Sequence, residues 1–280
     1  MAILIADSGS TKCEWCFIEN GRKKIIETQG ASPYFLNEKQ LVAMMQQELL
    51  PGLKNKIPAH VYFYGTGCAA AANRAMIKRA ILNVFPKARV EVNHDLTGAA
   101  RALCGRSRGI VAILGTGSNS GYYNGRKIVR NSPGLGYVLG DEGSGAYLGK
   151  MVLQYYLYNR FDQDLHRKFH NRYGVSAADI LDSVYKKPLP NRYIASYTMF
   201  LSENRGHYMI ENIIEDGLWD FFNNHLARYP ESGKLPVYFT GSVAFGFQDI
   251  LKELCKNFGW KPGSFLAKPM EGLIAYHKRK

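Results

Sequence analysis

No run of apolar residues in this 280-residue chain approaches the roughly 20 that a membrane-spanning helix requires. The start, Met1-Ala2-Ile3-Leu4-Ile5-Ala6, reaches an acid at Asp7 without a basic stretch or a cleavage site, so no secretory leader is expected. Cysteine is scarce and odd in number: five residues, at 13, 16, 68, 104 and 255, argue against a disulfide framework and suit a reducing compartment. Cys13 and Cys16 are spaced as C-x-x-C, but they lie in an apolar strand-like run, and no second pair or histidine cluster completes a zinc site. The expectation is a soluble, cytoplasmic protein. Acids are also few, 23 against 36 Lys and Arg, which leaves a formal charge of +13. Such a surplus attracts nucleic acid, anionic membrane or a small polyanion such as ATP. The basic residues form only short clusters (Arg22-Lys23-Lys24, Lys186-Lys187, His277-Lys278-Arg279-Lys280) with no nucleic-acid motif beside them, so neither nucleic acid nor membrane is an expected partner. Two common nucleotide signatures are missing as well. There is no G-x-x-x-x-G-K-[ST], and Gly115-Thr116-Gly117-Ser118-Asn119-Ser120 carries Ser where a dinucleotide fingerprint needs its third Gly, with a strand following instead of a helix.

With 46% hydrophobic and 12% aromatic residues, the chain can bury a substantial core, as one large domain or two moderate ones. Residues 2–6 read as a buried strand, followed by Gly and Ser turn chemistry and a second strand over 13–18, a hairpin. A third strand is expected over 24–28, then a helix whose face carries Leu41, Met44, Met45 and Leu49, a strand over 61–64, an Ala-rich helix over 69–82, and a strand over 90–92 closing at His94-Asp95. After a basic connection the pattern begins again, with strand 110–114, a glycine turn and strand 120–123. At an offset of 108, Ile5 falls over Ile113, Gly9 over Gly117 and Ser10 over Ser118, which reads as an internal duplication. The remainder is mostly helical, including 145–160 and a long stretch over 192–228, with one late strand at 236–240 before Gly241-Ser242. Strands alternating with helices indicate an α/β architecture built twice.

Each hairpin tip, Asp7-Ser8-Gly9-Ser10-Thr11-Lys12 and Leu114-Gly115-Thr116-Gly117-Ser118-Asn119, can turn several N–H groups toward one concavity, and glycine lets a phosphate come close. As a pair they could grip a triphosphate. Three other features could carry chemistry. Asp95 stands at a strand end, where a carboxylate can accept a proton from an attacking hydroxyl or simply cap the next helix. Asp141 and Glu142 lie in a glycine-bracketed loop before a helix and could accept hydrogen bonds or cap it. Gly241-Ser242 is either a ligand turn or a plain strand end.

Taken in order, residues 3–15, 95–100, 113–121, 134–145 and 237–244 resemble the first phosphate, connecting, second phosphate, substrate and adenosine segments of N-acetylglucosamine kinases. These are grouped with the ATPases that activate benzoyl-CoA-type reductases, within the fold of actin, hexokinase and the heat-shock chaperones. Gly140-Asp141-Glu142-Gly143-Ser144-Gly145 is the most specific block. The resemblance implies two ribonuclease-H-like domains with an interdomain nucleotide cleft. The first would be residues 1–104 with a C-terminal helix at about 268–280, the second 105–267 with a helical insertion. It implies ATP and Mg²⁺ as cofactors, an amino sugar such as N-acetylglucosamine as substrate, and Asp95 as the general base. Phosphate would be held by Gly9, Ser10, Thr11, Lys12, Gly115, Thr116, Gly117, Ser118 and Asn119, and adenosine by Gly241 and Ser242. The sugar would meet Asp95, Gly136, Gly140, Asp141 and Glu142, with Gly134 lending backbone access, and Asp7 would hold Mg²⁺ through water. Two departures stand out: Ser8 replaces a usual Gly, and the loop Gly30-Ala31-Ser32-Pro33-Tyr34 lacks the Asn that the family places on the sugar. An ATPase driving a partner protein and a non-catalytic ATP or sugar sensor are the alternatives, and homodimerisation is left open.

Overall fold

The computed structural model of the chain describes residues 2–9, 11–54 and 56–278. Two five-stranded sheets organise it. In the first, β1 (Ile3–Ser8) runs antiparallel to β2 (Lys12–Glu19), which runs antiparallel to β3 (Arg22–Gln29), while β4 (His60–Gly65) and β5 (Arg89–His94) add in parallel on the other side. The apolar run of β1 is explained by its central place: Leu4, Ile5 and Ala6 are fully buried. The β2–β3 turn is Asn20-Gly21, both at positive φ, the two-residue connection whose twist matches the strands it joins.

The second sheet repeats the plan. A meander of β6 (Gly109–Leu114), β7 (Ser118–Tyr123) and β8 (Ile128–Asn131) is followed by parallel β9 (Val237–Thr240) and β10 (Pro262–Leu266), in the order β10-β9-β6-β7-β8. The echo read in the sequence is therefore architectural, but its register differs: the equivalent strands β1 and β6 begin 106 residues apart, at Ile3 and Gly109, not 108. Strands β8 and β10 escaped the sequence reading, which expected one late strand. β10 opens on Pro262-Gly263, turn residues tolerated at the start of an edge strand. The long helical stretch over 192–228 is broken into Pro190–Ser196, Thr198–Glu203, Tyr208–Asn224 and a final 3₁₀ turn, Leu226–Arg228, with Gly206 at φ +86° before the longest.

The chain divides into two compact units, Met1–Arg106 with Pro269–Lys280, and Ser107–Lys268. In the first, Leu41, Met44, Met45 and Leu49 are buried as their spacing predicts, although the helix Glu38–Met44 widens into a π-helical turn over Met45–Leu49. They pack with Leu4, Trp15, Phe63 and Phe85. On the opposite face of the same sheet the helix Met270–Lys278 lays Leu273 and Ile274 against Ile5 and Tyr64. Gly272 lets this helix approach closely, since a Cβ there would lie 2.4 Å from the Ala102 carbonyl oxygen. In the second unit Leu114, Leu148, Phe169, Phe200, Phe221 and Phe239 share one core. No helix among the described residues is long and apolar enough to cross a membrane.

Candidate active site

In the first unit, Gly9 donates its N–H to the Lys12 carbonyl at 2.9 Å and closes the first hairpin. Ser10 lies outside the described residues, while the Thr11 amide beside it has no protein acceptor among them. Ser8, the departure from Gly, is fully enclosed: its Oγ accepts the Ala31 N–H at 2.9 Å and donates to the Gly9 carbonyl. Together with a bond from Gly30 N–H to the Thr11 carbonyl, this ties the loop over 30–34 to the hairpin. Lys12 is exposed and faces Glu27 at 3.8 Å. Asp7 lies one residue before the end of β1, opposite Glu14. Among the described residues no group of three or more His, Cys, Asp or Glu is placed to hold a metal. A single carboxylate together with phosphate oxygens suits a hard octahedral ion carried in on the phosphates.

The second hairpin turns over residues 115–117, with Gly115 N–H donating to the Gly117 carbonyl. The amides of Thr116 and Gly117 have no protein acceptor among the described residues and are available to an anion. The hairpin is clamped from the helix Gly145–Leu157, whose first amides, Gly145 and Ala146, donate to the Gly115 and Thr116 carbonyls at 2.7 and 3.0 Å. Ser118 turns its Oγ into a buried position without a partner, and Asn119 Oδ1 accepts from Ser120 N–H and from Asn131 Nδ2, which leaves Asn119 its own amide nitrogen for a ligand.

The Asp141-Glu142 loop folds back onto this hairpin. Asp141 holds a left-handed backbone, φ +58°, and its Oδ1 stands 3.4 Å from the Ser118 amide. Its Oδ2 would lie 2.9 Å from a Cβ at Gly117, so the absence of a side chain there is what admits the carboxylate. Burial is the main reason its pKa is raised above the ordinary aspartate value, with the neighbouring Glu142 charge adding to the shift. Glu142 is paired with His225 Nε2 at 2.9 Å and approached by Asn224. Neither acid caps the helix, because Ser144 does so through its Oγ. A small pocket opens beside them, lined by Ser132, Leu135, Glu142, His225 and Arg228 among others. His225 and Arg228 were not foreseen; they lie at the end of a helix more than eighty positions away, with no local signal in the sequence.

A raised aspartate pKa makes folding less favourable as pH climbs through that pKa, and the cost is absent where Asp141 is protonated in both folded and unfolded chains. Asp141→Asn keeps the shape and tolerates positive φ. It is therefore expected to melt higher than the parent at pH 7, with the difference closing as pH falls toward 4. Paired thermal melts across that range check the sign.

Asp95 is the first residue of the helix Asp95–Cys104, and His94, the last residue of β5, occupies the N-cap position without a side-chain cap bond, so the capping left open for Asp95 is exercised from the first helical position. Its side chain is about one quarter exposed (23%) and its Oδ1 accepts the Leu96 N–H at 2.7 Å. In the second unit Gly241 follows β9 at φ +114°, its N–H donating to the Leu266 carbonyl, and Ser242 beside it is exposed. Gly136 is also at positive φ, and Gly134 and Gly136 have open space where a side chain would be. At Gly140 a Cβ would crowd Leu135 at 2.9 Å.

A crystal structure from Porphyromonas gingivalis, named as a candidate N-acetylglucosamine kinase, is 40% identical to this chain over 99% of both, with a TM-score of 0.95. The chain belongs to the N-acetylglucosamine kinase family. A second candidate N-acetylglucosamine kinase, from Chromobacterium violaceum, shares the fold at 19% identity over 98% of both chains, with a TM-score of 0.73. At 14% identity and a TM-score of 0.57, over 100% of this chain and 99% of the other, a ROK family glucokinase from Streptomyces griseus in complex with glucose and AMPPNP shares it as well. No protein-family model and no curated protein matches the chain. The α/β fold of the family, the actin-like ATPase plan of two sheets that the resemblance implied, is thus the fold observed.

Proposed function

We propose that this member of the N-acetylglucosamine kinase family is an ATP-dependent kinase that transfers the γ-phosphoryl group to a hydroxyl of an amino sugar, N-acetylglucosamine being the reference candidate. The observation that carries the reading is Asp95, a partly sheltered carboxylate that opens the helix directly after a parallel strand, in a chain 40% identical to a candidate kinase of that sugar. Phosphoryl transfer needs positioning and charge stabilisation more than covalent help. The free amides of Thr11, Thr116 and Gly117 supply donors for phosphate oxygens. Magnesium brought in with the nucleotide would neutralise phosphate charge, and Asp7 would be the carboxylate that holds it through water. Asp95 takes the proton of the attacking hydroxyl, and Asp141 and Glu142 accept hydrogen bonds from the sugar. That ATP is the nucleotide is supported by the AMPPNP held by the Streptomyces griseus relative of the same fold.

The partner-ATPase alternative loses support from the cysteines. All five are buried, and burial pushes Cys104 up to about 12, so it offers no accessible thiolate for a shared iron–sulfur cluster. The loop over 30–34 keeps specificity open within amino sugars: the family's Asn is missing, and the Gly30 and Ala31 amides are already committed to Thr11 and Ser8. The deciding measurement is phosphorylation of a panel of hexosamines, their N-acetyl and acidic ether derivatives, and plain hexoses, with ATP hydrolysis followed in parallel. Transfer to an amino sugar is the expected result. Hydrolysis with no transfer to any sugar would replace the kinase with the partner-driven ATPase.

A further inference from the structure

We propose that His225 is a positioning residue that aims the Glu142 carboxylate at the sugar. The inference rests on the kinase reading above, in which Glu142 accepts a hydrogen bond from the substrate, and adds the residue that fixes the direction of that bond. His225 Nε2 and Glu142 Oε2 form a hydrogen bond of 2.9 Å, and Asn224 Nδ2, one residue earlier, approaches the other oxygen, Oε1, at 3.4 Å. Both oxygens are thus met from one helix end. A carboxylate only accepts, so a hydrogen sits on Nε2. The His225 side chain is only 6% exposed and its Nδ1 is buried with no partner among the described residues, so Glu142 is the one group the ring serves. Glu142, Asn224 and His225 all line the small pocket described above.

Packing explains why the ring points this way. Gly143 holds φ +69°, and a Cβ there would lie 2.8 Å from Phe221 Cβ, so the missing side chain lets the Asp141-Glu142 loop rest on the helix Tyr208–Asn224. Gly217 of that helix does the same for the helix after the loop, since a Cβ there would meet Leu148 Cδ2 at 2.4 Å. Tyr147 Oη donates to Asp220 Oδ2 at 2.7 Å and ties the same two helices. Loop and helix end are therefore held together by contacts that do not involve Glu142. On this frame His225 follows the last helical residue, its N–H donating to the Phe221 carbonyl at 3.0 Å. Its ring stacks on the Phe221 ring, with centroids 4.9 Å apart and planes 26° apart, which sets the plane in which Nε2 meets the carboxylate. A carboxylate without such a donor turns broadly about its last torsion, and an acceptor that turns meets a hydroxyl in a poor direction. Support of this kind holds a ligand-contacting side chain in its productive geometry.

The test compares His225→Asn with His225→Gln on N-acetylglucosamine, or on the hexosamine of the panel that the parent phosphorylates fastest. The Asn amide nitrogen stands near the place of Nδ1 and falls short of Glu142, whereas the Gln amide nitrogen reaches the place of Nε2. His225→Asn is expected to raise KM for the sugar about 10–100-fold, with kcat within about threefold and KM for ATP within about twofold of the parent. His225→Gln should recover most of the sugar affinity. Glu142→Ala should show a loss at least as large, and adding His225→Asn to it should bring none further, because there is no carboxylate left to aim. A merely structural role predicts instead that KM for both substrates moves with the melting temperature and that Gln helps no more than Asn. An unchanged sugar KM in His225→Asn or in Glu142→Ala, equal losses in the Asn and Gln variants, or a further loss on the Glu142→Ala background would each overturn the assignment while leaving the kinase reading in place. A parent that hydrolyses ATP and phosphorylates no sugar overturns the kinase reading, and this assignment with it.

Discussion

Asp95→Asn is expected to lower kcat by about 10²–10⁴-fold, roughly 3–5 kcal/mol of transition-state stabilisation, with KM for ATP little changed. The substitution is chosen because it changes basicity and almost nothing else. An amide oxygen in place of Oδ1 still accepts from the Leu96 N–H, so the first turn of the helix keeps its geometry. What it cannot do is take a proton. A loss in kcat alone is the signature of an interaction made only in the transition state, whereas a structural lesson from a displaced helix would appear in KM and in the melting curve together. Steady-state kinetics with both substrates, beside a thermal melt, separates the two. A kcat within threefold of the parent would remove Asp95 from the chemistry.

Gly241→Ala should cost about 2–6 kcal/mol of stability, for reasons that have nothing to do with the ligand. Its φ of +114° is a conformation that side chains rarely adopt, and strain of this kind is worth about 1–3 kcal/mol. The added Cβ would also lie 2.2 Å from the Leu114 carbonyl oxygen, 2.6 Å from its carbon and 3.1 Å from the Gly115 nitrogen. These are main-chain atoms of β6 and of the second hairpin, so no rotamer change relieves the clash, and overpacking adds about 1–3 kcal/mol more. A fall in melting temperature of about 4–24 °C follows from these figures. The functional effect comes by the same contact. Whatever molecules remain folded must move the start of the second hairpin to make room, and on the proposed role of that hairpin ATP affinity is expected to fall with the melting point. Gly233→Ala, where a Cβ meets nothing within 4 Å, serves as the control and should melt within about 1 °C of the parent. If Gly241→Ala behaves like that control, the close packing of the two turns is not a constraint.

What could be read from the sequence was local chemistry. Gly9 and Gly115 mark hairpins because a tight turn that exposes amides leaves few other options, and the apolar run of β1 could only be a buried strand. The sheet plan was legible through its repeated opening, although a residue-matching offset of 108 missed the strand equivalence by two, since Gly and Ser recur within each turn and align in more than one way. Less visible was everything that depends on side-chain direction or on distant contacts. Asp141 reads as a loop acid, and only the fold shows it seated where Gly117 lacks a side chain. His225 reaches Glu142 from a separate helix. His94 adjoins Asp95 in sequence, yet adjacency alone does not say that its ring nitrogen will stand 3.1 Å from the carboxylate. Ser8 looked like a mild replacement for Gly, whereas its hydroxyl joins two loops.

The helix Met270–Lys278 belongs to the unit that begins at the amino terminus, while residues 107–268 form the other unit without interruption. During synthesis this inverts the usual order in which domains mature. The continuous unit can fold as soon as its own residues have emerged. The first unit must wait with the Ile5 and Tyr64 face of its sheet uncovered until Leu273 and Ile274 arrive, so the domain that starts first is finished last. Through that interval the first unit keeps open an apolar surface that the finished fold covers, the kind of exposure that favours aggregation of nascent chains.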